Sequence, residues 1–89
     1  MKIEVKKVAG EELKNLGVDS WGSWSCDISE FDWKYDSDER CYIQEGRVIV
    51  TTEEGEKVEI NKGDLVLFPK GLKCSWNILE PIKKVYRFE

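Results

Sequence analysis

From Glu45 onward the chain meets a turn signal about every eight to twelve residues, so no helix of ordinary length fits between them. The signals are Glu45-Gly46, Glu53-Glu54-Gly55-Glu56, Asn61-Lys62-Gly63-Asp64, Pro69-Lys70-Gly71 and Glu80-Pro81. Between them lie residues 47–52, 57–60, 65–68, 74–78 and 82–88, which carry the β-branched and aromatic side chains that suit a pleated surface. Residues 39–44 read as one more strand ahead of this series. Short strands at such spacing predict an antiparallel sandwich or closed barrel. No βαβ pattern interrupts them, which argues against a parallel sheet.

The first third of the chain reads less regularly. Residues 3–8 predict a strand with Ile3 and Val5 on one face, and residues 11–16 a short helix ended by Gly17. Residues 21–28 predict a strand, with Gly22 as a bulge or an irregular entry to it. Phe31, Trp33 and Tyr35 alternate with Asp32 and Lys34, which puts the three rings on one strand face. With 89 residues and no linker or repeat, residues 1–89 are expected to form a single domain.

Charge narrows the partners. A net charge of −4 gives no basic surface for nucleic acid. No apolar run reaches the roughly 20 residues that span a bilayer, and the first residues lack the apolar stretch of a signal peptide. The expectation is therefore a cytoplasmic protein that binds neither nucleic acid nor membrane. Cys26, Cys41 and Cys74 are odd in number with no C-x-x-C spacing, so they read as free thiols. Abundant Glu and Lys beside a single Gln resemble the composition of hyperthermophile proteins. The absence of His removes the usual general base and the commonest metal ligand.

Two motifs go beyond a generic β reading. Glu39-Arg40-Cys41-Tyr42-Ile43-Gln44-Glu45-Gly46 is similar to the end of the first cupin motif, a Glu and a Gly separated by six residues. Gly63-Asp64-Leu65-Val66-Leu67-Phe68-Pro69-Lys70-Gly71 is similar to the second: Gly, five residues, Pro, one residue, Gly. They lie one hairpin apart and span about a third of the chain. The resemblance implies an all-β fold, a cupin-type antiparallel β-barrel (jelly roll) with at most one short N-terminal helix. Within cupins, Phe31-x-Trp33-x-Tyr35, Glu39-x-Cys41-Tyr42, Gly71-x-x-Cys74-x-Trp76 and Lys84-Val85-Tyr86 are similar to the short ethanolamine-utilisation and ureidoglycine-aminohydrolase cupins.

A typical metal cupin binds its ion through two His and a Glu of the first motif and a His of the second. Here the His-x-His pair falls on Trp33 and Tyr35, or on Asp32 and Lys34, and the last His on Cys74. Only Glu39 is kept, so no metal or other cofactor is expected.

If Glu39 faces the interior, so do Cys41 and Ile43; if Cys74 does, so do Trp76 and Ile78. The expected site is a small-molecule pocket inside the barrel. Glu39 is its catalytic candidate, and Trp33, Tyr35, Cys41, Cys74, Trp76 and Lys84 are its ligand-binding candidates. Glu39 could exchange protons without a metal, since an inward carboxylate is costly unless partnered or used. Unless Lys84 or Arg87 reaches it, Glu39→Gln should leave stability at neutral pH no lower. The alternatives are a divergent metalloenzyme with Glu39, Cys41 and Cys74 as ligands, and a structural or regulatory cupin. A homodimer formed through sheet edges is also expected.

Overall fold

The computed structural model describes all residues, 1–89. Seven strands form the molecule: β1 (Glu4–Lys7), β2 (Gly22–Cys26), β3 (Ser29–Lys34), β4 (Glu39–Thr52), β5 (Lys57–Asn61), β6 (Asp64–Phe68) and β7 (Lys73–Phe88). One short helix, α1 (Gly10–Leu16), and a single 3-10 turn at Val18–Ser20 lie between β1 and β2. The helix ends as the sequence suggests: Gly17 takes a left-handed conformation (φ 70°), and its N–H bonds to the Lys14 carbonyl. No helix is long and apolar enough to cross a membrane.

Every strand pair is antiparallel, and β4 and β7 organise the rest. The first part of β4 and the last part of β7 pair with each other and carry β6 and β2 on their flanks, with β1 beyond β6. Their other halves also pair with each other, flanked by β5 and β3. The result is an antiparallel jelly-roll barrel in which two long strands belong to both layers. The hydrophobic core lies between the layers, with Ile43, Val48, Val50, Ile60, Phe68 and Ile78 fully enclosed.

The two turns expected at Glu45-Gly46 and Glu80-Pro81 are not turns. Both lie inside continuous strands, facing each other across a bulge where the β4–β7 register shifts between Ile43 and Val48. The reason is local. Gly46 adopts φ 99°, and an added Cβ would sit 2.2 Å from the Pro81 carbonyl oxygen, so only glycine permits this close passage. Pro81 interrupts the ladder without leaving an unpaired donor. The bulge also resets the alternation of β4. Glu39, Cys41 and Ile43 are buried before it, and Val48, Val50 and Thr52 after it, an odd series changing to an even one. Both halves of a long strand thereby present side chains to one interior.

Of the two readings of Gly22, the bulge is not found; the residue begins β2. β2 pairs with β7 in unbroken register from Gly22↔Tyr86 to Cys26↔Ile82, so no bulge exists there. The glycine instead makes room for a ring: an added Cβ would lie 2.9 Å from Tyr86 Cζ. Ile3 enters the core while Val5 stays 38% exposed, so the two do not share a buried face.

A paired substitution checks the bulge. Gly46→Ala meets backbone as well as an unfavourable φ, whereas Gly55, also at positive φ (86°), has nothing within 4 Å of an added Cβ. Gly55→Ala is expected to cost about 1 kcal/mol and Gly46→Ala on the order of 3 kcal/mol or more. Urea denaturation of both variants measures the difference; equal costs would contradict the close passage.

Candidate functional site

Glu39 opens β4, where Phe68 of β6 and Phe88 of β7 are its register partners. Its side chain is only 7% exposed. Lys84, on β7 beside Ile43 of β4 and Trp24 of β2, extends to it, and Lys84 Nζ donates to Glu39 Oε2 at 2.6 Å. The expectation that holds only for an unpaired Glu39 therefore falls: the carboxylate has a buried cation. Arg87 is not that partner. Its guanidinium donates to Glu89 at 3.0 Å and lies over the Trp21 ring.

The ammonium is also enclosed by rings. Lys84 Nζ stands 4.9 Å from the Trp76 ring centroid, 5.1 Å from Trp24 and 5.9 Å from Tyr86. The negative faces of these rings attract the charge. Together with one charged hydrogen bond they replace much of the hydration that Lys84 gives up. The rings order one another as well. Phe31 stacks on its register partner Trp76 at 6.0 Å, and Trp24 meets Trp76 edge-on at 5.9 Å. Behind them Tyr35 stacks on Phe68 at 4.7 Å.

These side chains surround a partly enclosed cavity of about 240 Å³. Trp24, Phe31 and Trp76 form one wall; Trp33, Tyr35, Tyr86 and Phe88 complete the lining. Glu39 and Lys84 are its two charged residues. Trp33 and Phe88 are 53% and 61% exposed, which places them at the rim. The last residues are held there by Glu89, whose carboxylate accepts from Arg40 Nε at 2.7 Å and whose N–H bonds to Asp38 O. Hydrogen bonds from Arg40 and Arg87 keep the Glu89 carboxyl below the usual carboxylate range.

Of the residues singled out in the sequence, Trp33, Tyr35, Glu39, Trp76 and Lys84 line this cavity together. The two thiols do not. Cys41 is fully buried in the core, and Cys74 borders a separate polar groove with Asp32, Lys34 and Thr51. Both belong to the inner face of their strands, as the alternation implied, but one packs beneath the cavity and the other beside it. Burial pushes the Cys41 thiol up to about 12, an effect that Lys84 opposes, and the Cys74 thiol up to about 11. Neither forms a nucleophilic thiolate at neutral pH. The Tyr35 hydroxyl is likewise raised, first by burial and then by the Glu39 charge, so it remains a neutral phenol. Trp76 Nε1 is buried without a hydrogen-bond partner.

Sequence reasoning missed Trp24, Phe31, Tyr86 and Phe88 as lining residues. Tyr86 and Phe88 continue the alternation that starts at Lys84, a signal present in the chain. Phe31 shares the Trp33–Tyr35 face. Trp24 has no such local signal; only its pairing with Lys84 brings it to the site.

The residues do not fit a metal. No group of three or more His, Cys, Asp or Glu converges anywhere in the molecule, so Glu39, Cys41 and Cys74 do not form a ligand set. The carboxylate that cupins share has a lysine ammonium against it.

The two-layer antiparallel jelly roll with a side-chain-lined interior defines a cupin. The family model for the EutQ-like cupin domain matches residues 13–86, and the chain belongs to that family. It is similar to a crystal structure of a DUF861 family protein from Thermotoga maritima, with 52% identity and a TM-score of 0.97 over 99% of this chain and 100% of that one. The Clostridium difficile EutQ protein shares the fold at 24% identity and a TM-score of 0.67, over 94% of this chain and 64% of that one. A cupin superfamily protein from Desulfitobacterium hafniense does so at 13% identity and a TM-score of 0.61, over 96% of this chain and 74% of that one. No curated protein matches the chain.

The pair of buried charges sets a stability prediction. Glu39→Gln leaves the Lys84 ammonium without a counter-charge in an apolar surround, and should cost about 3–5 kcal/mol. Lys84→Met strands the carboxylate and should cost a similar amount. The double variant is expected to lose far less than the sum, as a urea-denaturation cycle at pH 7 would show. Additive losses would mean that the two charges do not depend on each other.

Proposed function

We propose that the protein binds a small, mostly planar molecule inside the barrel, flat against the aromatic walls, with one polar group held by Lys84 and Glu39. The observation that carries this reading is the cavity itself: about 240 Å³, walled by seven aromatic side chains, with a buried ion pair as its charged element. An apolar cavity of ~150 Å³ accepts a benzene ring. The space here suits one substituted ring or a short chain and is too small for a dinucleotide. Aromatic walls with a few placed polar groups are the usual composition of a ligand site.

The electrostatics select the polar group. Lys84 already occupies the ring faces that would otherwise attract a ligand cation, so a cationic ligand meets repulsion instead. One of the three ammonium N–H groups goes to Glu39, leaving others to donate to an acceptor oxygen of the ligand. The pair also puts a proton donor and acceptor 2.6 Å apart beside the bound molecule, a setting for metal-free acid–base chemistry. A heat-stable protein is part of the same reading, supported by the Glu- and Lys-rich composition and by the half-identical Thermotoga maritima relative.

Trp24, Trp33 and Trp76 make intrinsic fluorescence the direct probe. Benzyl alcohol and benzamide are expected to change the emission saturably and to raise the melting temperature. At 100 times Kd the added stability is about 2.7 kcal/mol. Benzylammonium, with the same ring and the opposite polar group, is expected to do neither. Equal binding of benzylammonium would overturn the assigned ligand chemistry. No response to any of the three would overturn the pocket.

A further inference from the structure

Lys84 is the only buried lysine in the chain, and the fold requires its charge only to balance Glu39. With an uncharged residue in place of Glu39, a methionine would fill the space among Trp24, Trp76 and Tyr86 without a desolvation cost. The amine instead lines a cavity walled mostly by aromatic rings, with a carboxylate in hydrogen-bond contact. From this juxtaposition we propose that Lys84 is a nucleophile that forms an imine with small planar aldehydes or ketones. The inference rests on the pocket reading above and assigns the chemistry of its polar end.

The steps balance with Glu39 as the proton carrier. Glu39 takes one proton from the Lys84 ammonium across the 2.6 Å contact, freeing the nitrogen lone pair. That pair attacks the carbonyl carbon; the C–N bond forms, and the carbonyl π electrons move to oxygen, which is protonated by the Glu39 carboxyl. The resulting carbinolamine nitrogen is cationic and loses a proton to the Glu39 carboxylate. Glu39 then protonates the hydroxyl, the C–O bond breaks, water leaves and the C=N bond forms as an iminium. In sum, a carbonyl and an ammonium become an iminium and water, with no oxidant or reductant.

The product suits the site as well as the resting state does. Nζ carries one positive charge before and after, so Glu39 keeps its counter-ion and the ring faces keep their cation. A neutral product would instead strand the carboxylate. The walls around the C=N bond are apolar, and the exposed rim at Trp33 and Phe88 provides the route for carbonyl entry and water loss. Desolvation in an apolar pocket is a recognised way to activate a lysine, and Glu39 serves here as the proton carrier.

Reductive trapping tests the proposal on the full chain. The protein is incubated at neutral pH with benzaldehyde and cyanoborohydride, and the modified lysine is located by peptide mass mapping. The expected result is a benzyl group on Lys84 ahead of the exposed lysines, with excess benzyl alcohol slowing that labelling. Lys84→Arg, which keeps a cation beside Glu39, is expected to lose the label while exposed lysines keep theirs. If the variant does not fold, the map of the unaltered protein decides alone. Labelling confined to exposed lysines, with fluorescence still responding to benzyl alcohol, would overturn the imine and leave the pocket standing. Loss of both responses would overturn the two together.

Discussion

The contact between Glu39 and Lys84 is the interaction on which the site depends, because neither charge is tolerable alone. Each side chain is less than a tenth exposed, and an isolated ion at such a depth costs several kcal/mol. The residues are 45 positions apart and lie on the first and last parts of the two longest strands. Their pairing therefore requires the full β4–β7 alignment. Three ring faces at 4.9–5.9 Å from Nζ then supply the remaining compensation, and those rings are the cavity wall. Stability and the proposed recognition draw on the same side chains.

The bulge at Gly46 and Pro81 makes that alignment compatible with one interior. Without it, the strict alternation of β4 would turn Val48, Val50 and Thr52 outward whenever Glu39, Cys41 and Ile43 point in. The cavity spans the bulge, drawing Glu39, Lys84 and Tyr86 from one half of the β4–β7 ladder and Trp76 from the other. Gly22 contributes in another way, by clearing the space that the Tyr86 ring occupies. Two glycines thus position the site without lining it.

Much of this was legible in the chain, and the failures have a common cause. Period-two alternation from Glu39 placed Cys41 and Ile43 inward, and the same rule placed Trp76 and Ile78, as the burial shows. Gly46 and Pro81 were read as turns because both residues punctuate hairpins as well as bulges, and only the partner strand tells the two apart. The thiols face inward, but alternation gives a direction and not a depth, so it could not show that Cys41 lies in the core. The Lys84 contact was visible only as one option among several. No local pattern reports a pairing across 45 residues, and Trp24 was missed for the same reason.

In this cupin a lysine ammonium stands against the retained carboxylate, and aromatic rings surround the pair. The interior is polarised by a side chain that can also react. Its environment is directly observable by proton–nitrogen correlation of lysine ammonium groups in labelled protein near neutral pH. The account predicts one ammonium signal, from Lys84, that exchanges slowly with water and is shifted by the ring currents of Trp24 and Trp76. All other lysines should fall together at the solvent-exposed position. Finding Lys84 among those averaged signals, with no protected ammonium in the spectrum, would contradict the buried pair and the site built on it.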